Sequence, residues 1–231
     1  GMSDENSAID LTSYLGTNDP GDSAYSTDDR ARIEFRNNEF VETGRIGVNA
    51  EDFVRAIVAD NTFETTDAGY AVEIGSESTG VVRNNEIHGY NTDFSDGSES
   101  AGIYIENAFP ASGASGLVKD VIVTDNEVYD CTVGIRVGNE WASITGDVDI
   151  DAVLTRNFVH DNEQAGISVT DSGAGVGSSV SVTGFNNTLD NNGEGYHLFE
   201  DDESSPADDG DISLTVELEE ITNNDTGVLV E

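Results

Sequence analysis

Residues 121–137 read VIVTDNEVYDCTVGIRV, and this stretch decides the fold. Val121 and Val123 alternate with Ile122 and Thr124, as in a half-buried strand. Asp125-Asn126 interrupts as a turn, Val128 points inward again, and Asp130 to Val133 turn once more. Gly134 then opens a second alternating strand through Ile135 and Val137. Strand, turn, short strand, turn, strand is one closed winding of a chain.

The winding recurs. Its first half, Asn-x-apolar, appears as Asn38-Glu39-Phe40, Asn61-Thr62-Phe63, Asn85-Glu86-Ile87, Asn126-Glu127-Val128, Asn157-Phe158-Val159 and Asn187-Thr188-Leu189, with Glu219-Glu220-Ile221 as a seventh copy lacking the Asn. Its second half, Gly-apolar-x-apolar, opens at Gly69, Gly102, Gly134, Gly166, Gly195 and Gly227, with a shifted form from Gly44 to Val48. Successive Asn anchors lie 23, 24, 41, 31 and 30 residues apart. The shortest spacing fits one minimal coil, and the longer ones fit the same coil with inserted loops. Self-similarity of this kind marks a solenoid whose units bury their apolar faces only against each other. The expected fold is all-β, a single-stranded right-handed parallel β-helix of about seven coils with an Asn ladder. The coils run 31–51, 52–78, 79–115, 116–145, 146–178, 179–209 and 210–231. At a strand spacing of roughly 4.8 Å they stack into a rod roughly 35 Å long. Stacking lets each Asn amide bond the next, and Asn tolerates the left-handed turn conformation.

Residues 1–30 are polar and lack the repeat, so they read as a lead or partial cap; Ala8 to Leu15 has the pattern of an amphipathic turn or a short strand over the first coil. The chain ends at Glu231 on its last strand, which predicts that the open C-terminal coil packs on another chain.

On these motifs, from about residue 31 to 231, the chain resembles the right-handed parallel β-helix repeat superfamily, the pectate-lyase-like fold that also includes NosD-type periplasmic proteins. The motif is specific for fold and unspecific for activity.

Composition narrows the partners. There are 47 acidic and 9 basic residues, a formal charge of −38, and the acids are spread over every coil. An even acidic coat with one lysine, Lys119, resembles proteins of halophilic archaea. High salt screens the self-repulsion of such a surface. Nucleic acid and an anionic membrane surface are improbable partners, because both need a basic patch. No apolar run spans a bilayer. Cys131 is the single cysteine, which rules out an internal disulfide and a cysteine metal cluster and suggests a structural role in its turn. Gly1 before Met2 reads as an expression scar, and no signal region follows. That leaves a cytoplasmic protein or the trimmed part of an extracellular one.

Insertions concentrate at the two corners flanking the Gly strand, so the loops should wall a trough over it. The outward column of that strand reads Ala71, Tyr104, Arg136, Ser168 and His197; the next outward positions read Glu73, Glu106, Gly138, Thr170 and Phe199. Trp141 lies in an adjacent loop. Aromatic faces for a sugar ring and Arg136 for a uronate carboxylate suit a polysaccharide. The expected function is therefore carbohydrate binding or processing in the trough, with Tyr104, Trp141 and Ser168 binding substrate. The alternative is a non-catalytic scaffold, one segment of a longer rod. Catalytic candidates are Arg136 and His197, with Glu73 and Glu106 as an acid–base pair. What the resemblance implies for Arg136 is a lyase base on the cleft strand, with calcium neutralising the uronate. The longer lyase motifs are missing, as is the Gly-His-Gly of the polygalacturonase-like hydrolases. Copper delivery of the NosD kind lacks ligands in a chain with one Met and one Cys. Two acidic groups are calcium candidates: Asp120 with Asp149 and Asp151, and Asp93, Asp96 and Glu99 in the longest loop. A second outward column, Glu64, His88, Tyr129, His160 and Asp190, is expected to form a ladder of stacked rings.

Overall fold

A computed structural model describes residues 7–12, 31–51, 54–66, 69–75, 78–92, 99–106, 119–138, 149–170, 179–199 and 211–231. Its described elements are all strands, in three parallel sheets of eight, seven and seven. The strand order within each sheet steps by one coil at a time. The coil boundaries expected from the repeat each enclose one strand of every sheet. Ser7–Thr12 adds an eighth strand, paired in parallel with Ile46–Glu51. The lead therefore contributes a strand to the helix itself.

Inward columns fill the lumen. Phe40 and Phe63 stack at 4.4 Å, and Ile87, Val128, Val159 and Leu189 continue their line. Each such side chain is essentially fully buried, which contributes roughly 1.5–3 kcal/mol. Tyr196 takes a position held by Ile135 and Ile167 in earlier coils. Its hydroxyl reaches the space left by Gly184, where a Cβ would stand 2.8 Å from it. In the last coil Leu218, Val228 and Val230 are exposed.

The ladder runs without a break from Asn38 through Asn61, Asn85, Asn126, Asn157 and Asn187, each Nδ2 donating to the next Oδ1 at 2.9–3.0 Å. Glu219 closes it, accepting from Asn187 Nδ2 at 3.1 Å and from the Tyr196 hydroxyl at 3.0 Å. A longer acceptor than Asn is needed there to meet both donors. The left-handed residue is not the ladder Asn but the one before it: Asn37, Asp60, Asn84, Asp125, Arg156, Asn186 and Leu218 all have φ of 51–60°. This residue turns the corner, which leaves the Asn free to aim its amide along the axis.

A second ladder, absent from the sequence reading, occupies the next corner. Asn162 donates to Asn192 at 2.8 Å and Asn192 to Asn224 at 2.9 Å. Cys131 stands at its head, buried, with its backbone N–H donating to Asn162 Oδ1. The residues before these positions, Asp130, Asp161, Asn191 and Asn223, are again left-handed.

Candidate functional site

The outward face of the eight-stranded sheet carries the column expected to floor the trough, while most of the inserted loops expected to wall it lie outside the described residues. Register pairs Asn49 with Glu73, Glu73 with Tyr104, Tyr104 with Arg136, Arg136 with Ser168, and Ser168 with His197. The expected column is therefore right from Tyr104 onward and wrong before it. Ala71 is not part of it; Glu73 takes that place, and Asn49 precedes Glu73. Two residues separate the repeat's apparent Gly69 from its true counterpart, because Ala71 occupies the position that Gly102 and Gly134 fill in later coils. The neighbouring outward column accordingly runs Glu51, Gly75, Glu106, with Thr170 and Phe199 further on.

At the C-terminal end of the trough lies a pocket of about 340 Å³. Arg136, Ser168, Thr170, His197 and Phe199 line it, together with the carboxylates of Glu99 and Glu231. Arg136 is 9% exposed and its Nη1 lies 3.3 Å from Glu99 Oε2. Its guanidinium stands 5.8 Å from the centre of the Tyr104 ring, a cation–π distance. Tyr104 itself is buried and packs on Tyr70, ring centres 4.7 Å apart. His197 sits between Glu194 and Glu231, each 3.6 Å from one ring nitrogen. Its Nε2 is buried and makes no hydrogen bond. The arrangement is a recess with one permanent cation paired to a carboxylate, a second carboxylate beside a buried imidazole nitrogen, two hydroxyls and one aromatic ring.

The carboxylates gather at the other end. Glu73 and Glu106 do come together, and Glu51 joins them: one oxygen of each lies within 4.8 Å of the others. Gly47, not Gly44, is the first coil's counterpart of the later glycines, and this puts Glu51 on the outward face. Glu73 is 8% exposed and Glu106 2%. Of the other predicted residues, Trp141, Asp93 and Asp96 lie outside the described residues. Asp120 and Asp151 are register neighbours, and burial followed by the charge of Asp120 raises the Asp151 carboxyl. Asp149 points instead to Ser179, whose Oγ donates to it at 2.7 Å. The ring ladder is present: His88, Tyr129 and His160 stack at 4.9 and 5.0 Å, nearly parallel.

Parallel coils stacked in register and a continuous Asn ladder define a solenoid of the β-helix class. A family model described as the right handed beta helix region matches residues 23–212, and the chain belongs to that family. The family includes carbohydrate-processing enzymes and scaffolds. No match was found among curated proteins or among solved structures.

Proposed function

We propose that the trough binds an acidic polysaccharide laid along the helix axis, with a uronate-type carboxylate in the Arg136 pocket, in a protein adapted to high salt. The observation that carries this reading is the pocket itself. Arg136 is the one permanent cation among its lining residues, and the buried Nε2 of His197, two rungs further along the same column, offers a partner to a hydroxyl or carboxylate. Ser168 and Thr170 supply further hydroxyl contacts, and Phe199 offers a face for a sugar ring. A pocket of this size accommodates a single saccharide unit.

Binding is favoured over lyase or hydrolase chemistry. Glu99 stabilises the charged form of Arg136, and a charged guanidinium is a poor proton acceptor. Glu106 is too enclosed to meet a glycosidic oxygen. A non-catalytic scaffold is the second reading, and the enclosure of Tyr104 and Arg136 favours it. The test is titration with oligogalacturonate and a neutral oligosaccharide control in molar KCl, with unsaturated-product absorbance and reducing ends followed in parallel. The reading expects saturable binding of the acidic chain that Arg136→Ala weakens at least tenfold. Absence of binding to any acidic glycan rejects it and leaves the scaffold.

A further inference from the structure

We propose that Glu51, Glu73 and Glu106, with the side-chain oxygen of Asn49, form a divalent-cation site that staples three successive coils together. The proposal stands on geometry separate from the Arg136 pocket and does not depend on a glycan.

Convergence is the first observation. Glu51 leaves the end of the Ile46–Glu51 strand, Glu73 lies on Tyr70–Ile74, and Glu106 directly follows Ala101–Ile105. Their carboxylate oxygens nevertheless approach within 4.8 Å of one another. Oxygens held around one hard cation at 2.3–2.6 Å are separated by up to about 5 Å.

The hollow beneath them is the second. Gly75 occupies the middle rung between Glu51 and Glu106. A Cβ there would overlap Glu106 Oε1 and come within 3.4 Å of Glu51 Cγ. The two glutamates therefore fold over the one position in their column that lacks a side chain. Its φ does not lie in the left-handed region, so backbone conformation gives no reason for glycine here. Room does.

The third observation points to a ligand. Asn49 is the register partner of Glu73 and lies two residues before Glu51 on the same outward face. It is 6% exposed, and its Oδ1 has no hydrogen-bond partner. An unbonded buried amide oxygen is costly. Carboxylates cannot donate to it when ionised, whereas a cation accepts it as a fourth oxygen. An all-oxygen set of three carboxylates and one amide fits calcium in preference to softer metals.

The site differs from both acidic groups singled out in the sequence. Its function follows from its position: three carboxylates from three coils bound to one ion fix the spacing of those coils and convert mutual repulsion into a bridge. The test is calorimetric titration of the chelator-treated full chain with calcium chloride in 1 M KCl, which screens diffuse binding to the acidic coat. The expected result is one equivalent per chain, with Kd of order 10⁻⁷–10⁻⁵ M, and an upward shift in the melting midpoint. Gly75→Ala keeps every charge yet fills the hollow, and should weaken binding at least thirtyfold. Glu106→Gln should do the same, and Asn49→Asp should retain binding. If Gly75→Ala does not fold, Glu106→Gln against the surface control Glu127→Gln decides the matter. No saturable binding at millimolar calcium, or equal affinity in wild type, Gly75→Ala and Glu106→Gln, overturns the site.

Discussion

Replacing Asn126 by alanine removes the middle rung of the ladder. The Asn126 side chain accepts from the backbone N–H and Nδ2 of Asn85 at 3.0 and 2.9 Å, and donates to Val82 O, Thr124 O and Asn157 Oδ1 at 3.0–3.1 Å. It is 2% exposed, so water cannot replace these partners. Asn85 Nδ2 keeps its bond to Val58 O, and Asn157 Oδ1 keeps its bond from the Asn126 backbone. The Asn85 N–H is left bare. The Nδ2 has two protons for its three acceptors, so about four bonds at about 1 kcal/mol net, with part of the loss absorbed by those survivors and the bared N–H adding to it, give about 3–5 kcal/mol. That is a large share of the 5–15 kcal/mol typical of a folded chain. Asn38 provides the internal control. It is exposed and its side chain donates only to Arg36 O and Asn61 Oδ1, so Asn38→Ala should cost about 1 kcal/mol. Urea unfolding in molar KCl, followed by circular dichroism, measures both. Equal losses at Asn38 and Asn126 would refute the view that buried ladder amides carry stability beyond their local turns.

Three further predictions follow from named features. Leu218 holds φ of 57° at 75% exposure, so Leu218→Asn should stabilise by about 1 kcal/mol, seen as a higher urea midpoint; no gain would show that the corner imposes no strain. With a charge of −38, the melting midpoint should rise from dilute buffer to molar KCl, and equal midpoints would remove the case for salt adaptation. Burial pushes the Cys131 thiol up to about 12, so a thiol reagent at pH 8 should leave it untouched in the folded chain and modify it fully in urea; rapid native labelling would contradict its place in the core.

Much of the fold was legible because the ladder writes itself into the sequence. A buried amide that must bond the same amide one coil away permits almost no substitution, so Asn61, Asn85, Asn126, Asn157 and Asn187 stand out. The second ladder shares this chemistry, but only Asn162, Asn192 and Asn224 carry it, and Cys131 takes the earlier place. Its signal was an Asn three or four residues before the Gly. The outward column was legible from Tyr104 to His197 and misaligned before it. Glycine is required at that inward bend only where a neighbouring coil crowds it, as Val128 crowds Gly102 and Val159 crowds Gly134. Ala71 satisfies the same place without the signature. The carboxylate cluster depended on that alignment: with Gly47 as the anchor, Glu51 and Glu106 fall in one column with Gly75 between them. Loop residues such as Trp141 carry no register, and periodicity says nothing of where they go.

Because every rung of the Asn ladder offers the same donor and the same acceptor, the ladder cannot tell neighbours from next-neighbours. Asn85 would zip onto Asn157 as readily as onto Asn126, extruding a whole winding as a bulge. What distinguishes the true order is idiosyncratic contact: the Phe40–Phe63 stack, the rings of His88, Tyr129 and His160, and Tyr196 seated over Gly184. These mismatched pieces serve as a proofreading code written across an otherwise repetitive zipper, and a chain stripped of them in favour of consensus repeats would gain a family of skipped-winding traps on its way to the folded state.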